Sequence, residues 1–309
     1  MPTSTNSWRG IVKADPSVLM NLRAHKVKPG GKIAPGFKAK KALNLKYMGG
    51  KTISNLSFKS FYLGGSAWMA SDMQNIDAAL SGALADPHLN NVMLQYYPGA
   101  TSISTAFLGS KTLTAAVDNP FTRDSVNPVL AALLADGSLQ GADLADTVVC
   151  LMLPPGIELT TDAAGGVGRV MGDDNLDSSK QGLGGYHGSC HIGNQVVYFS
   201  VAVYSQFING QPNGIPVWPD SWKNVVATLY HELNEARTDP DVEESMRQNN
   251  NALLGWYSQK AGEIGDIPIT EAGANIRSVM VELTLGNGVV APIQLMWSNA
   301  VGGPEGPFG

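Results

Sequence analysis

The residues with the clearest chemical potential lie in the segment Y-H-E-L-N-E-A-R-T-D-P, which starts at Tyr230. Histidine and glutamate supply ligand atoms that divalent metals bind, and both also transfer protons in hydrolysis. His231 and Glu235 are four residues apart, so on a helix their side chains lie side by side and are predicted to share one ion. Glu232 points in a neighbouring direction, where it is expected to hold a water bound to that ion.

This spacing is that of the H-E-x-x-H helix of zinc peptidases, with a glutamate in place of the second histidine. A carboxylate is an acceptable zinc ligand, so the replacement weakens the signal without abolishing it. The alternative is a hydrogen-bonded pair of His231 and Glu235 on the protein surface, since a His-Glu pair occurs often on helices by chance.

A third ligand has to come from another segment. In G-W-Y-S-Q-K-A-G-E-I-G-D-I-P, Asp266 is the first choice and Glu263 the second, because the two are spaced to face one side of a turn. Asp239 and Asp241 follow the helix, and the proline between them forces a turn that brings one of them back. The acidic run of residues 239–244 is otherwise typical of a solvated turn.

A second cluster, Y-H-G-S-C-H, lies in a glycine-rich stretch of residues 156–194 that is predicted to be either a functional loop or a mobile one, with a lid as its plausible use. His187 is predicted to be a metal ligand or, together with Tyr257, a candidate for stabilising an oxyanion. The alternative assigns His187 and His191 to loop structure. Cys190 beside His191 does not form a nucleophilic dyad, because adjacent residues do not place the imidazole against the thiol.

Together these residues predict a metal-dependent hydrolase that acts on a peptide or small-molecule substrate. A divalent cation, zinc by preference, is expected to be held by His231, Glu235 and either Asp266 or Glu263, with one position open. Such an ion would acidify water at that position, and Glu232 would take the proton as the water attacks an amide or ester carbonyl. The alternative is a non-catalytic protein in which the same residues hold a structural metal or a polar network and a cleft binds a peptide or glycan.

The elements that must position these residues alternate between strands and helices. Strands are predicted over residues 42–48, 53–63, 91–97, 147–153, 195–204, 278–285 and 288–297. Helices are predicted over residues 69–84, 124–135 and 221–238. This order predicts an α/β (α+β) fold: one zincin-like domain with a twisted mixed sheet, backing helices and an active-site helix.

Composition and charge narrow the class of protein. No run of about 20 apolar residues predicts a membrane span. Residues 1–60 hold twelve Lys or Arg and one acid, whereas the remainder is acidic. Residues 1–42 are predicted to form a basic arm, with one short helix at 16–25, and residues 43–309 the domain. The arm is expected to pack on the acidic body. A nucleic-acid or membrane partner is the less favoured alternative, because the lysines of the arm are interleaved with proline and glycine, without an aromatic stacking platform.

Three further features carry less information. Cys150 and Cys190 are compatible with one bridge or with two free thiols. The start, MPTSTNSWRG, lacks the apolar segment of a signal peptide. The stretch G-G-V-G-R-V-M-G neither follows a strand nor opens a helix, which disfavours a phosphate-binding loop.

Several segments together resemble the Exordium-like (phosphate-induced) family of extracellular plant proteins and their bacterial and fungal relatives. They are Y-H-E-L-N-E-A-R-T-D-P, G-W-Y, G-E-I-G-D, L-M-W-S-N-A and G-Y-H-G-S-C, all within residues 184–299. The resemblance implies that one site contains His231, Glu232, Glu235, Glu263 and Asp266, with His187 facing it. It also implies that relatives are often secreted, and it identifies no reaction.

Overall fold

Helices and strands alternate along the residues that this computed structural model describes, 31–161 and 178–306. The α-helices are α1 Ala70–Ala85, α2 Pro87–Leu94, α3 Arg123–Ala135, α4 Ser221–Thr238, α5 Val242–Gln248 and α6 Asp266–Ala272. The strands are β1 Lys46–Tyr47, β2 Asn55–Leu63, β3 Ser104–Leu113, β4 Thr147–Met152, β5 Gly185–Ile192, β6 Gln195–Ala202, β7 Gln206–Ile208, β8 Gln211–Asn213, β9 Trp256–Tyr257, β10 Met280–Thr284, β11 Val290–Gln294, β12 Met296–Ser298 and β13 Gly303–Glu305. None of the described helices has both the length and the apolar character needed to cross a membrane.

A five-stranded mixed sheet organises the chain. Its order is β3-β2-β4-β6-β5, with all neighbours parallel except β5, which runs antiparallel to β6 at one edge. β4 lies in the middle and all six of its residues are buried, as its apolar run T-V-V-C-L-M predicts. The described residues therefore form the predicted mixed α/β domain.

Alternate residues of the sheet face two separate cores, because successive side chains on a strand point to opposite faces. On β4, Val148, Cys150 and Met152 face the larger core, which contains the apolar residues of α1, α2 and α4. Val149 and Leu151 face the smaller core, which is built with α3. Helices thus cover both faces of the sheet, and α4 lies on the face with the larger core.

The strand predicted over residues 91–97 is wrong. Residues 87–94 form α2, whose first turn is capped by the carboxylate of Asp86 through the amides of His88 and Leu89. Proline at the first helical position favours this start, since its missing N–H would be free there anyway. The buried Leu89, Val92 and Met93 have helical spacing. The apolar run N-V-M-L was interpreted as a strand, because a short apolar run does not distinguish a strand from a helix.

Two strands of the central sheet were not predicted. β3 is an edge strand whose residues are mostly exposed or half-buried, so it lacks the apolar run that marks β4. β5 lies within the glycine-rich stretch that was interpreted as a functional loop, and that interpretation is wrong for residues 185–192. Residues 162–177 of the same stretch, including G-G-V-G-R-V-M-G, lie outside the described residues.

The remaining predictions of elements were closer. The strand predicted over residues 42–48 is only a short helical turn at Lys41–Leu43 and the two residues of β1. The two strands predicted near the end form the antiparallel hairpin β10–β11, followed by β12 paired with β13. Both cysteines are free thiols, with Cys150 buried and Cys190 half-buried.

The described part of the basic arm lies against the end of the chain. Ile33 pairs with Glu305 as an isolated bridge, and the amide of Ala34 donates to the carbonyl of Pro304 at 2.8 Å. Lys40 forms an ion pair with Glu271. Packing on the body is therefore observed for residues 33–40, whereas the helix predicted at residues 16–25 lies outside the described residues.

Candidate metal centre

Helix α4 carries three of the predicted site residues into the interior. Its apolar face, with Val225 and Leu229, belongs to the larger core, and nearly every residue from 224 to 238 is buried. His231, Glu232 and Glu235 are only 4%, 2% and 0% exposed. The alternative of a surface pair therefore does not describe these residues, and buried ionisable groups of this kind require compensating partners.

Three other elements bring side chains to the same place. β5 positions His187 opposite Ser200 of β6, at the edge of the central sheet. The turn after β9 supplies Glu263, and α6 begins at Asp266. β11 ends at Gln294, which is 1% exposed. The cluster is thus assembled from segments more than 100 residues apart in the chain.

His231, Glu235 and Asp266 form one group with metal-ligand spacing. The Nε2 atom of His231 lies 3.0 Å from Oε2 of Glu235 and 3.7 Å from Oδ1 of Asp266. With the imidazole protonated, the 3.0 Å contact is an ion pair, and neither atom has another hydrogen-bond partner. A cation held by both atoms would take the place of that proton.

Gln294 determines which nitrogen of His231 faces the carboxylates. The Nε2 group of Gln294 donates to the carbonyl of Gly265 at 2.6 Å, which turns its Oε1 toward Nδ1 of His231 at 2.9 Å. An amide oxygen only accepts, so Nδ1 of His231 carries the hydrogen. Nε2 then faces the group formed with Glu235 and Asp266, and it can bind a metal once it loses its proton.

The backbone at Gly265 holds the second ligand. The amides of Gly265 and Asp266 both donate to Oε1 of Glu235, at 3.0 and 3.1 Å, and leave its Oε2 free to bind elsewhere. A Cβ atom at position 265 would lie 2.6 Å from Nδ1 of His231. Only glycine therefore allows this close approach of backbone and imidazole.

A second group contains His187, Glu232 and again Glu235. Nδ1 of His187 lies 3.2 Å from Oε2 of Glu232 and 3.6 Å from Oε2 of Glu235. The other ring nitrogen of His187 lies 3.1 Å from the carbonyl of Asp239 and 3.5 Å from Oε1 of Glu263. Both groups share Glu235, which therefore lies at the centre of the cluster.

The carboxylates hold protons on both imidazoles. Burial by itself lowers the pKa of His187, but the hydrogen bond with Glu232 and the charge of Glu235 outweigh it and raise the pKa to about 9. Burial opposes the charged form of His231 in the same way, yet the charges of Glu235 and Glu232 raise its pKa well above the usual value. Both histidines are therefore cationic in the metal-free protein at neutral pH.

The carboxyl groups divide into two kinds. Burial would raise the pKa of Glu235, but the charge of His231 outweighs it and lowers that pKa. Burial, followed by the charge of Glu235, raises the pKa of both Glu263 and Asp266 well above the usual range. Burial also raises the pKa of Asp239 to about 7. Glu263 and Asp266 therefore favour their protonated, neutral forms, whereas Glu235 favours its ionised form.

The acidic run of residues 239–244 is not the solvated turn that was expected. Asp239 is fully buried; its Oδ1 accepts from the amide of Gly255 at 2.9 Å, and its Oδ2 has no hydrogen-bond partner. Asp241 is half-buried and accepts from Ser189 at 2.8 Å. These contacts arise because the turn after α4 packs against β5, which the sequence analysis had placed in a loop.

Three further residues named in the sequence analysis lie away from the group of His231, Glu235 and Asp266. Glu263 is buried and its Oε1 lacks a hydrogen-bond partner, although it faces His187 rather than His231. Tyr257 is half-buried on β9 opposite Lys46, and its oxyanion role stays a prediction. His191 is an exposed residue on β5.

Sequence reasoning missed Gln294 and Gly265. Gln294 is the one amide in the apolar run P-I-Q-L-M-W, and a buried amide in such a run has to find partners, which was an available signal. Gly265 lies within the G-E-I-G-D motif, but its contact with His231 depends on tertiary packing that no local pattern encodes.

The donor set fits a divalent cation. It combines imidazole nitrogen with carboxylate oxygen, both groups have tethered outer partners, and unpartnered buried donor atoms face inward. Comparisons with protein-family models, with curated proteins and with solved structures find no match to this chain. The Exordium-like resemblance stays a prediction.

Proposed function

We propose that this protein is a metal-dependent hydrolase, with zinc held by His231, Glu235 and Asp266. The observation that carries the proposal is the buried pair His231 Nε2 and Glu235 Oε2, which lie 3.0 Å apart and have no other hydrogen-bond partner. Each side chain is fixed by a separate outer hydrogen bond that leaves this one atom free. Such tethering is typical of metal ligands.

The chemistry supplied by a bound zinc ion is Lewis-acid polarisation and a lowered pKa of coordinated water. Glu232 is the proposed general base. Its Oε2 is held by His187, whereas its Oε1 lies 3.9 Å from Nε2 of His231 and is therefore near the ligand atoms. A carboxylate fixed through one oxygen keeps the other oriented to take a proton from water that attacks an amide or ester carbonyl.

The contacts of His187 narrow the choice of residue that would stabilise the oxyanion. Its two ring nitrogens are engaged by Glu232 and by the carbonyl of Asp239. We therefore propose His187 as the residue that holds the base in place, and Tyr257 as the remaining candidate for the oxyanion.

Solvent reaches the centre beside Asp266. The side chain of Asp266 is 22% exposed, whereas those of His231 and Glu235 are 5% and 0% exposed. We propose that substrate approaches from this side, so that the substrate is a peptide or a small amide or ester whose carbonyl can reach the edge of the cluster.

One observation favours a second function. The burial of His231, Glu232 and Glu235 is also what a structural metal requires, because structural sites are closed. The second candidate is therefore a non-catalytic protein of the Exordium-like kind, with a structural metal beneath a surface that binds a peptide or glycan.

Variants of the helix distinguish the two functions. We expect wild-type protein to retain zinc after dialysis and to hydrolyse members of a peptide and ester library. His231→Ala should lose this zinc, and Glu232→Gln should keep it while hydrolysis falls about 10²–10⁴-fold. Glu282→Gln, which alters a partly exposed glutamate paired with Lys223, is the control and should change neither.

The possible results distinguish the hydrolase from the structural-metal protein. Zinc that is retained with no hydrolysis, or with hydrolysis unchanged in Glu232→Gln, supports the structural-metal function and refutes the hydrolase. Wild-type protein that takes up no zinc refutes both.

A further inference from the structure

A second set of ligand atoms lies next to the proposed zinc site and shares only Glu235 with it. Nδ1 of His187, Oε2 of Glu232 and Oε2 of Glu235 converge on one point from β5 and from two successive turns of α4. His187, Glu232 and Glu235 are all less than 4% exposed. Oε2 of Glu235 is the atom that has no hydrogen-bond partner.

The orientation of His187 presents a lone pair to this point. Nε2 of His187 lies 3.1 Å from the carbonyl oxygen of Asp239, and a carbonyl only accepts, so Nε2 carries the hydrogen. In the neutral imidazole, Nδ1 is then an unprotonated nitrogen facing two carboxylate oxygens. Three electron-rich atoms are held together in this way only when a proton or a metal cation lies among them.

The separations between these atoms suit a metal. Two ligands at about 2.0–2.1 Å from a tetrahedral ion are about 3.3 Å apart. The observed separations from Nδ1 of His187 are 3.2 Å to Glu232 and 3.6 Å to Glu235. The corresponding separations from Nε2 of His231 in the first site are 3.0 and 3.7 Å, so both groups bracket the same value.

Both groups draw on the same carboxylate oxygen. Oε2 of Glu235 lies 3.0 Å from Nε2 of His231 and 3.6 Å from Nδ1 of His187, so it is within reach of a ligand atom in either group.

We propose that His187, Glu232 and Glu235 bind a second divalent cation, with Glu235 bridging it to the zinc of the proposed function. This inference rests on the proposed function only for the first ion. Carboxylate-bridged pairs of ions about 3.5–4 Å apart are a common arrangement in metallohydrolases. Because the second ion occupies Glu232, it removes the general base. The second site therefore regulates the first by the supply of metal.

The test is the number of zinc ions bound per chain. Full-length protein stripped with a chelator is dialysed against rising Zn²⁺, and bound zinc is measured by elemental analysis. We expect two zinc ions per chain in wild type and one in His187→Gln. The matched control is His191→Gln, which alters an exposed histidine on the same strand and should leave two.

A second variant guards against misfolding of His187→Gln, which circular dichroism would reveal. Glu232→Gln has the same shape as wild type and should also bind one ion. Two ions in both folded variants, or one ion in wild type, would overturn the second site and leave the proposed function standing. No zinc in wild type would overturn both. Loss of one ion in each variant, with two retained in His191→Gln, supports the proposal.

Discussion

The outer hydrogen bonds of His231 provide a sharp test, because Gln294 contacts the proposed ligand without being a ligand itself. Gln294→Met keeps similar volume at a position that is 1% exposed, yet removes both the acceptor for Nδ1 of His231 and the donor to the carbonyl of Gly265. Each buried group left unsatisfied costs about 1–3 kcal/mol. For the two groups, we expect the metal-free protein to lose about 2–6 kcal/mol of its free energy of unfolding.

Zinc affinity should fall as well, by about 10–100-fold, because His231 is no longer held with Nε2 toward Glu235. The assays are urea denaturation in the presence of a chelator and zinc competition with a chromogenic chelator. The control is Asn213→Leu, which removes a buried amide bonded instead to Ser179 and Ile157. It should lower stability with no change in zinc affinity. Unchanged zinc affinity in folded Gln294→Met would refute the positioning of His231 by Gln294.

Three further results are expected. Gly265→Ala should lower zinc affinity at least about tenfold, because the added Cβ would lie 2.6 Å from the imidazole of His231. Gly286→Ala is the control, since a Cβ there has no atom within 4 Å and should leave zinc affinity unchanged. Equal zinc affinities in the two variants would contradict this. The pKa of His187 is raised to about 9 in the folded protein, from about 6.5 in the unfolded chain. The stability of the metal-free protein should therefore be greatest below pH 6.5 and fall by about 3 kcal/mol as the pH rises to 9, measured by denaturation with chelator present. A flat profile would be inconsistent with a charged pair of His187 and Glu232. Hydrolysis should rise with the first equivalent of zinc and fall as a second ion occupies Glu232, whereas simple saturation would argue against inhibition.

The parts of the fold that local pattern encodes were predicted well. Helix α4 begins and ends where expected, because its apolar residues recur at helical spacing and Pro240 stops it. β4 was recognised as central because it is apolar on both faces. The spacing of His231 and Glu235 on α4 placed two ligand candidates together without any knowledge of tertiary structure.

The parts that depend on distant packing were not predicted. In the segment of α2, the strand-like run N-V-M-L outweighed the capping signal of Asp86 and Pro87. The glycines of β5 made the segment resemble a loop in the sequence, so the strand was not predicted. The position of His187 beside Glu232, which this strand determines, was not predicted either. A Cβ at Gly188 would meet the side chain of Glu243, a contact that only the folded chain reveals.

The central claim is that His231, Glu235 and Asp266 hold one divalent cation. Anomalous diffraction at the zinc absorption edge, from crystals of protein supplied with zinc, tests it most directly. We predict a peak within about 2.0–2.2 Å of His231 Nε2 and of one carboxylate oxygen each from Glu235 and Asp266. Zinc found only at other residues, or no peak between His231 and Glu235 at saturating zinc, would contradict the claim.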